Sequence, residues 1–359
     1  MSTTVVAETF THQGIVPGYL LARLAGSSQF TRAAEAARQT LIKGRPEFRA
    51  ALELSVDQNG DLIADVQAAP TRTIYDAHNT EQLPGTEVRG EDDPAVADAA
   101  VNQAYDGLGD TFRMLLEAFE RDSLDGKGAP LIATVHYGEK YDNAFWNGSQ
   151  MVFGDGDGEV FTGFTNSVTV IGHELGHGVI QTTAALEYQG QSGALNESLA
   201  DVFGSLTEQF TLGQTADQAS WLIGASIFTP AVQGRALRDM LHPGTAYDDD
   251  ELGKDPQPAD MAHYVETTED NGGVHINSGI PNRAFALAAT AVGGHAWEGV
   301  GLAWYRALTG GLSSTAGFTE FAEQTITAAT EIGATVEMAV RDAWTTVGVI
   351  KDASVRTPR

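Results

Sequence analysis

The stretch 168–179, "VTVIGHELGHGV", sets His173 and His177 four residues apart, with Glu174 directly after the first. On a helix these imidazoles lie about 40° apart on one face, so both can reach one cation. Glu174 lies about 100° round from His173, beside such a cation and not on it, a placement that suits a base acting on water. Gly172, Gly176 and Gly178 each cost about 1 kcal/mol relative to Ala in a helix interior. Glycines so closely spaced imply close backbone approach at a working site. Two core histidines beside a surface Glu are the competing reading.

The chain has zero Cys, so every nucleophile or metal ligand must be N or O, and neither disulfides nor thiolate chemistry are available. A catalytic zinc takes three protein ligands and keeps a position open. "SGALNESLADVFGSL" supplies Glu197, twenty residues past His177, on an amphipathic helix. Asp201 shares the face of Glu197 and suits an acceptor behind a ligand His. Asn196 is expected in the same outer layer.

"HELGH" followed by "GALNESLAD" resembles the thermolysin family of zinc metallopeptidases, the gluzincins with a Glu as third ligand. "NAFWNGSQMVFGDGDG" at 143–158 and "DNGGVHINSGIPNRAF" at 270–285 carry the resemblance over roughly residues 72–350. It implies one zinc ion on His173, His177 and Glu197, with Glu174 as general base. Tyr188 and His275 match the family's oxyanion donors, and Asp270 matches the acid that orients this His. Asn143 and the Ala144 backbone match the strip that pairs with the substrate main chain, and Arg238 matches the carbonyl-binding arginine. Phe161, Phe164, Val170, Ile227 and Leu237 fall where the family lines an apolar pocket, which implies cleavage before Leu, Ile, Val or Phe. A catalytically silent zinc protein and a zinc hydrolase of non-peptide substrates are the alternatives.

"IVPGYLLARLA" resembles the short propeptide motif of the family's protealysin branch, with Gly18 where that branch shows a second proline. The resemblance implies a precursor whose N-terminal segment covers the cleft as an intramolecular inhibitor and is removed by self-cleavage. Four places where thermolysin's calcium pair needs acids hold Thr169, Ser220, Leu222 and Ala225, and Glu208 alone remains. Hard cations need several oxygen ligands, so that pair is expected to be absent, with calcium elsewhere left open. "GDGDGE" at 154–159 reads as a tight turn and not a calcium loop.

The elements that must position these residues follow from the rest of the pattern. At 359 residues, with 42% hydrophobic and 19% charged content, the chain is globular and long enough for two lobes. The expected class is α+β with a thermolysin-like arrangement. A propeptide-like segment (1–60) precedes a β-rich lobe (61–182) ending in the zinc helix, then a helical lobe (183–350) and a tail (351–359). Asn59-Gly60 marks a hairpin, "APLIATVHYG" at 129–138 reads as a short apolar strand, and "QMVFGDGDGEVF" at 150–161 as another, broken by a Gly/Asp turn. The stretch 93–123 has helical apolar spacing, with Pro94 suited to a first turn. Helices are expected over 167–184, 194–211, 215–228, 278–293, 296–310, 315–332 and 334–346, with a long acidic loop at 240–272.

The net charge of −27 argues against nucleic acid and anionic membranes as partners. Residues 1–50 carry six Lys/Arg against three Asp/Glu, whereas the remainder carries 15 against 45, so a basic N-terminal segment can dock on an acidic body. The first 25 residues lack the features of a secretory signal. The expected location is therefore cytoplasmic, or outside the cell by a route that needs no signal peptide.

Overall fold

The computed structural model describes residues 14–43 and 68–351. The Asn59-Gly60 hairpin and the tail from 352 onward lie outside them. Two short helices, α1 (Gly18–Leu24) and α2 (Thr31–Lys43), precede a lobe built from β1 (Arg72–Asp76), β2 (Thr86–Arg89), α3 (Ala99–Phe119), β3 (Leu131–Val135), β4 (Ala144–Trp146) and β5 (Met151–Phe153). These strands form one sheet in the order β2-β1-β3-β5-β4. The parallel β1–β3 pair needs a crossover, and α3 supplies it, burying Val101, Ala104, Leu108, Phe112, Leu115 and Phe119 along one face.

Helix α3 does not start at Pro94. Asp98 caps it, its Oδ1 accepting from Ala100 N at 2.8 Å, and an Asp side chain outcompetes a proline ring as a start signal because it satisfies an orphan amide.

Helices α4 (Val168–Gln181) and α5 (Gly190–Leu212) cross at the centre of the molecule. Two of the three glycines anticipated as points of close approach, Gly172 and Gly176, lie at this contact, whereas Gly178 faces Leu124 and Trp146. A Cβ on Gly172 would sit 2.9 Å from Gly204 Cα, and one on Gly176 would sit 2.9 Å from Ala200 Cα. α6 (Asp270–Asn277), α7 (Gly279–Val292), α8 (Val300–Thr309), α9 (Phe318–Ile332) and α10 (Ala334–Thr346) complete a helical lobe around the stacked Trp304 and Trp344 rings.

The expected helix at 215–228 does not form. Trp221 (φ 57) and Gly224 (φ 71) are left-handed, and between them Leu222–Ile223 (β6) pairs antiparallel with Arg238–Asp239 (β7). The apolar spacing there reflects burial of Trp221, Ile223 and Ile227 from an irregular chain, not a helical face. The acidic 240–272 stretch is not loop throughout: Asp248–Asp249 (β8) pairs with Gly253–Lys254 (β9), and a 3-10 turn spans Met261–His263. Among the described residues no helix is long and apolar enough to cross a membrane.

Candidate metal centre and peptide cleft

Helix α4 presents His173 and His177 to the facing Glu197 of α5. Their Nε2 atoms are 3.1 Å apart, and a Glu197 oxygen stands 3.6 Å from each. Behind them, His173 Nδ1 meets Asp201 Oδ1 at 2.8 Å, and His177 Nδ1 meets Asn196 Oδ1 at 2.8 Å. The Asn196 amide is fixed because its Nδ2 donates to Leu186 O at 3.1 Å. These acceptors take the ring protons at Nδ1 and turn the Nε2 lone pairs toward each other. Glu197 Oε2 is buried without a hydrogen-bond donor. Two lone pairs and a carboxylate converging within 4.8 Å repel unless a cation lies among them, and this N, N, O set fits zinc.

Arg238 reaches the site from β7 and grips Asp201 with two bonds, Nε to Oδ2 at 2.8 Å and a terminal nitrogen to Oδ1 at 2.7 Å. Asn282 Nδ2 adds a third donor at 2.8 Å. Burial alone would raise the Asp201 carboxyl, but Arg238 and His173 hold it well below the usual carboxylate range.

On the far side, Tyr188 donates to Glu197 Oε1 and stands 3.2 Å from His275 Nε2. Burial and the Glu197 charge push the Tyr188 phenol up, so it stays a donor. Asp270, Asn271, Gly272 and Gly273 are successive left-handed residues (φ 51 to 83). That turn folds the Asp270 carboxylate back onto His275, where it meets Nδ1 at 2.6 Å and the backbone N–H at 2.9 Å. Burial opposes the imidazolium, yet Glu197 and Asp270 raise His275 to about 9.

Glu174 lies against this centre, its Oε2 accepting from Trp146 N at 2.8 Å. A cleft of about 220 Å³ lined by Trp146, Glu174, His177, Tyr188 and Asn196 opens beside it. Phe161, Phe164, Val170, Ile227 and Leu237 are buried, and so is Ile15.

Residues 14–16 run along the free edge of β4. Ile15 N donates to Ala144 O at 3.1 Å, and Arg238 donates to Ile15 O at 3.1 Å. Asn143 takes Val16 N on Oδ1 at 2.9 Å and donates from Nδ2 to Val16 O at 3.0 Å. His275 Nε2 stands 3.2 Å from Gly14 O.

The structure thus brings His173, His177, Glu197, Glu174, Tyr188, His275, Asp270, Asp201, Asn196, Arg238, Asn143 and Ala144 together around one cleft, while the five apolar pocket candidates are shown only to be buried. Three contributors went unnoticed in the sequence: Trp146, which acts through its backbone N–H, Asn282, and Gln257, whose amide donates to His275 O at 2.8 Å. A backbone donor leaves no mark on residue type, and the other two hold residues far from them in sequence.

For Thr169, the hydroxyl accepts from Gly224 N at 2.9 Å and so ties α4 to the β6 turn. Ser220 Oγ donates to Glu208 at 3.2 Å, and burial raises that carboxyl. The 154–159 segment is a tight turn in which Asp157 Oδ1 accepts from Glu159 N and Val160 N at 2.6 and 2.7 Å.

Residues 44–181 match the thermolysin metallopeptidase catalytic domain, and residues 184–349 match the alpha-helical domain of the same family. An extracellular metalloprotease of Pectobacterium carotovorum is 55% identical over 280 residues, 77% of this chain and 81% of its own. Protease PrtS of Photorhabdus is 45% identical over 94% of this chain and 92% of its own. The solved precursor of protealysin, a metalloproteinase from Serratia proteamaculans, superposes with a TM-score of 0.85 at 48% identity, covering 94% of this chain and 100% of that one. The chain belongs to the thermolysin family of metallopeptidases.

Proposed function

We propose that the chain is the precursor of a zinc endopeptidase that cuts on the N-terminal side of bulky apolar residues and is held silent by its own N-terminal segment. The observation that carries this reading is the pairing of residues 14–16. Every main-chain polar group from the Gly14 carbonyl to the Val16 carbonyl has a partner at His275, Ala144, Arg238 or Asn143. A site that pairs a main chain group by group is suited to peptides. Ile15, the residue after the Gly14 carbonyl, is fully buried, and in this reading it takes the place of the substrate's apolar residue.

In this reading His173, His177 and Glu197 hold zinc, which polarises the peptide carbonyl and acidifies water when bound. Ala144 O, Arg238 and Asn143 fix the substrate in register. Glu174, oriented by the Trp146 amide, takes a proton from the attacking water and passes it to the leaving amine. The His275 imidazolium and the Tyr188 hydroxyl face the oxygen where negative charge develops. Asp270, Asp201 and Asn196 orient the groups they touch. A purely structural zinc site calls for a fourth protein ligand, and Tyr188 and His275 stand as donors instead. The same reading includes self-removal of the N-terminal segment, the lobe boundaries given above, and loss of the calcium pair around Thr169 and Glu208. Nucleic acid is not a partner of so acidic a chain.

Glu174→Gln is the test. We expect hydrolysis of a peptide with Leu or Phe after the cut bond to fall about 10²–10⁴-fold, and the variant's mass to stay that of the uncut chain. Unchanged hydrolysis overturns the catalytic assignment. Processing of the variant alone, in the absence of other proteases, overturns self-cleavage.

A further inference from the structure

The binding strip and the turn that leads to the apolar pocket meet at a pair of buried acids that the reaction does not use. Asp142, next to Asn143, is 0% exposed, and Asp157 is 5% exposed. The two segments lie backbone against backbone: Gly154 N donates to Asn143 O at 3.0 Å, and Gly156 N to Tyr141 O at 3.3 Å. Between those bonds the Asp142 carboxyl faces Asp157.

The two acids are not equivalent. Asp157 accepts three backbone N–H groups, from Glu159, Val160 and Phe161, so donors on its own turn already hold its oxygens. Neither Asp142 oxygen has a well-formed donor, and among the described residues no Lys, Arg or His pairs with it. Tyr141 is the titratable phenol beside it. Helix α2 packs on it through uncharged Thr40, whose Oγ1 accepts from Asp142 N at 3.0 Å. Glu159, on the same turn, points away to the first N–H groups of α2. Two charges in so dry a place are not tolerated side by side.

We propose that Asp142 is a positioning residue. It keeps its proton at neutral pH, donates it to Asp157, and by that bond holds the Asn143–Ala144 strip against the turn that carries Phe161. Burial and the Asp157 charge both push the Asp142 carboxyl well up, in agreement. Losing the proton replaces a hydrogen bond with a repulsion, so the strip and the pocket wall part and peptide binding weakens while the chemistry at Glu174 is untouched.

The sign of the linkage is fixed. The folded chain holds a proton that the unfolded chain releases above about pH 4. The stabilisation is therefore fully present below that pH and declines as pH rises toward the raised folded value.

The test compares the parent with Asp142→Asn, whose amide donates without needing a titratable proton. The proposal rests on the peptidase reading for one of two measurements. In active enzyme assayed from pH 6 to 10, we expect the parent's KM for an apolar peptide to climb several-fold on the alkaline side. That climb should vanish in Asp142→Asn, with kcat following one profile in both. Asp142→Leu, which lacks any donor, should show the raised KM at every pH. The second measurement needs no activity: urea unfolding of the uncut Glu174→Gln chain, with and without Asp142→Asn. The chain carrying Asp142→Asn should gain relative stability with rising pH, by up to about tenfold in folding constant per pH unit. Equal pH slopes in the two chains, or a pH effect carried by kcat, overturn the proposal. A parent that hydrolyses no peptide sinks the peptidase reading, while the unfolding slopes still decide the role of Asp142.

Discussion

In the proposed site Asn196 reaches the metal only through His177. Its Oδ1 takes the Nδ1 proton at 2.8 Å, and its own Nδ2 is pinned to Leu186 O. Without it the imidazole can rotate and exchange tautomers, so the loss falls on metal affinity before it shows in shape. Asn196→Ala should therefore weaken zinc binding about 10–100-fold, read as a shift in equilibrium competition with a chromogenic chelator on the full-length chain. Unchanged affinity in a folded variant would remove Asn196 from the set of orienting groups. Asp201 is a harder position to probe, because it also anchors Arg238 and Asn282. Removing it leaves a buried guanidinium without its partner, and several effects mix.

At the scale of elements, the site is precise because α4 and α5 touch backbone to backbone. A Cβ on Gly204 would collide with Thr169 O and stand 3.2 Å from His173 N. Gly204→Ala must then push apart the two helices that carry all three candidate ligands. We expect it to cost about 1–3 kcal/mol and to lower the thermal midpoint of the apo chain, so that the loss cannot be blamed on zinc release. A midpoint equal to the parent's would mean the helices have slack. This crossing was legible in part: the glycines of "IGHELGHG" announced close approach, and the four-residue His spacing announced one helical face. Local periodicity carries such information because i and i+4 neighbours are fixed by the helix itself. The 215–228 segment misled for the complementary reason. Its apolar residues are buried by distant partners, and only left-handed Trp221 and Gly224 reveal an irregular chain. The edge strand β4 was invisible to periodicity, being three residues long, and showed only through resemblance.

For the whole molecule, the question is what holds residues 14–43 on a body of net negative charge. Beyond the buried pairing of residues 14–16 in the cleft and the Thr40–Asp142 bond, the polar contacts of this segment lie at or near the surface. Glu159 caps α2 by accepting from Arg32 N and Ala33 N at 2.8 and 3.1 Å, Lys43 meets Glu81 at 3.1 Å, and Arg23 donates to Glu251 O at 3.0 Å. Exposed pairs of this kind contribute about 0–1 kcal/mol each and are screened by salt. Against them stand Ile15, Val16, Leu20, Leu21, Leu24 and Phe30, all buried, where full burial of one such side chain is worth about 1.5–3 kcal/mol. Apolar contact wins, and charge sets the register. Ile15 is the position where the proposed coupling of docking to silence is best tested, since its backbone pairs with Ala144 and Arg238 while its side chain is fully buried. In the uncut Glu174→Gln chain, Ile15→Asp should place an unpaired carboxylate at that buried position and expel the segment from the cleft. Calorimetric titration with an apolar peptide should then show binding about ten- to hundredfold tighter than in the parent, the equivalent of one lost anchor. Lys43→Ala, or added salt, should change that affinity far less. A peptide that binds the parent and the Ile15 variant equally would mean that residues 14–16 do not compete for the cleft.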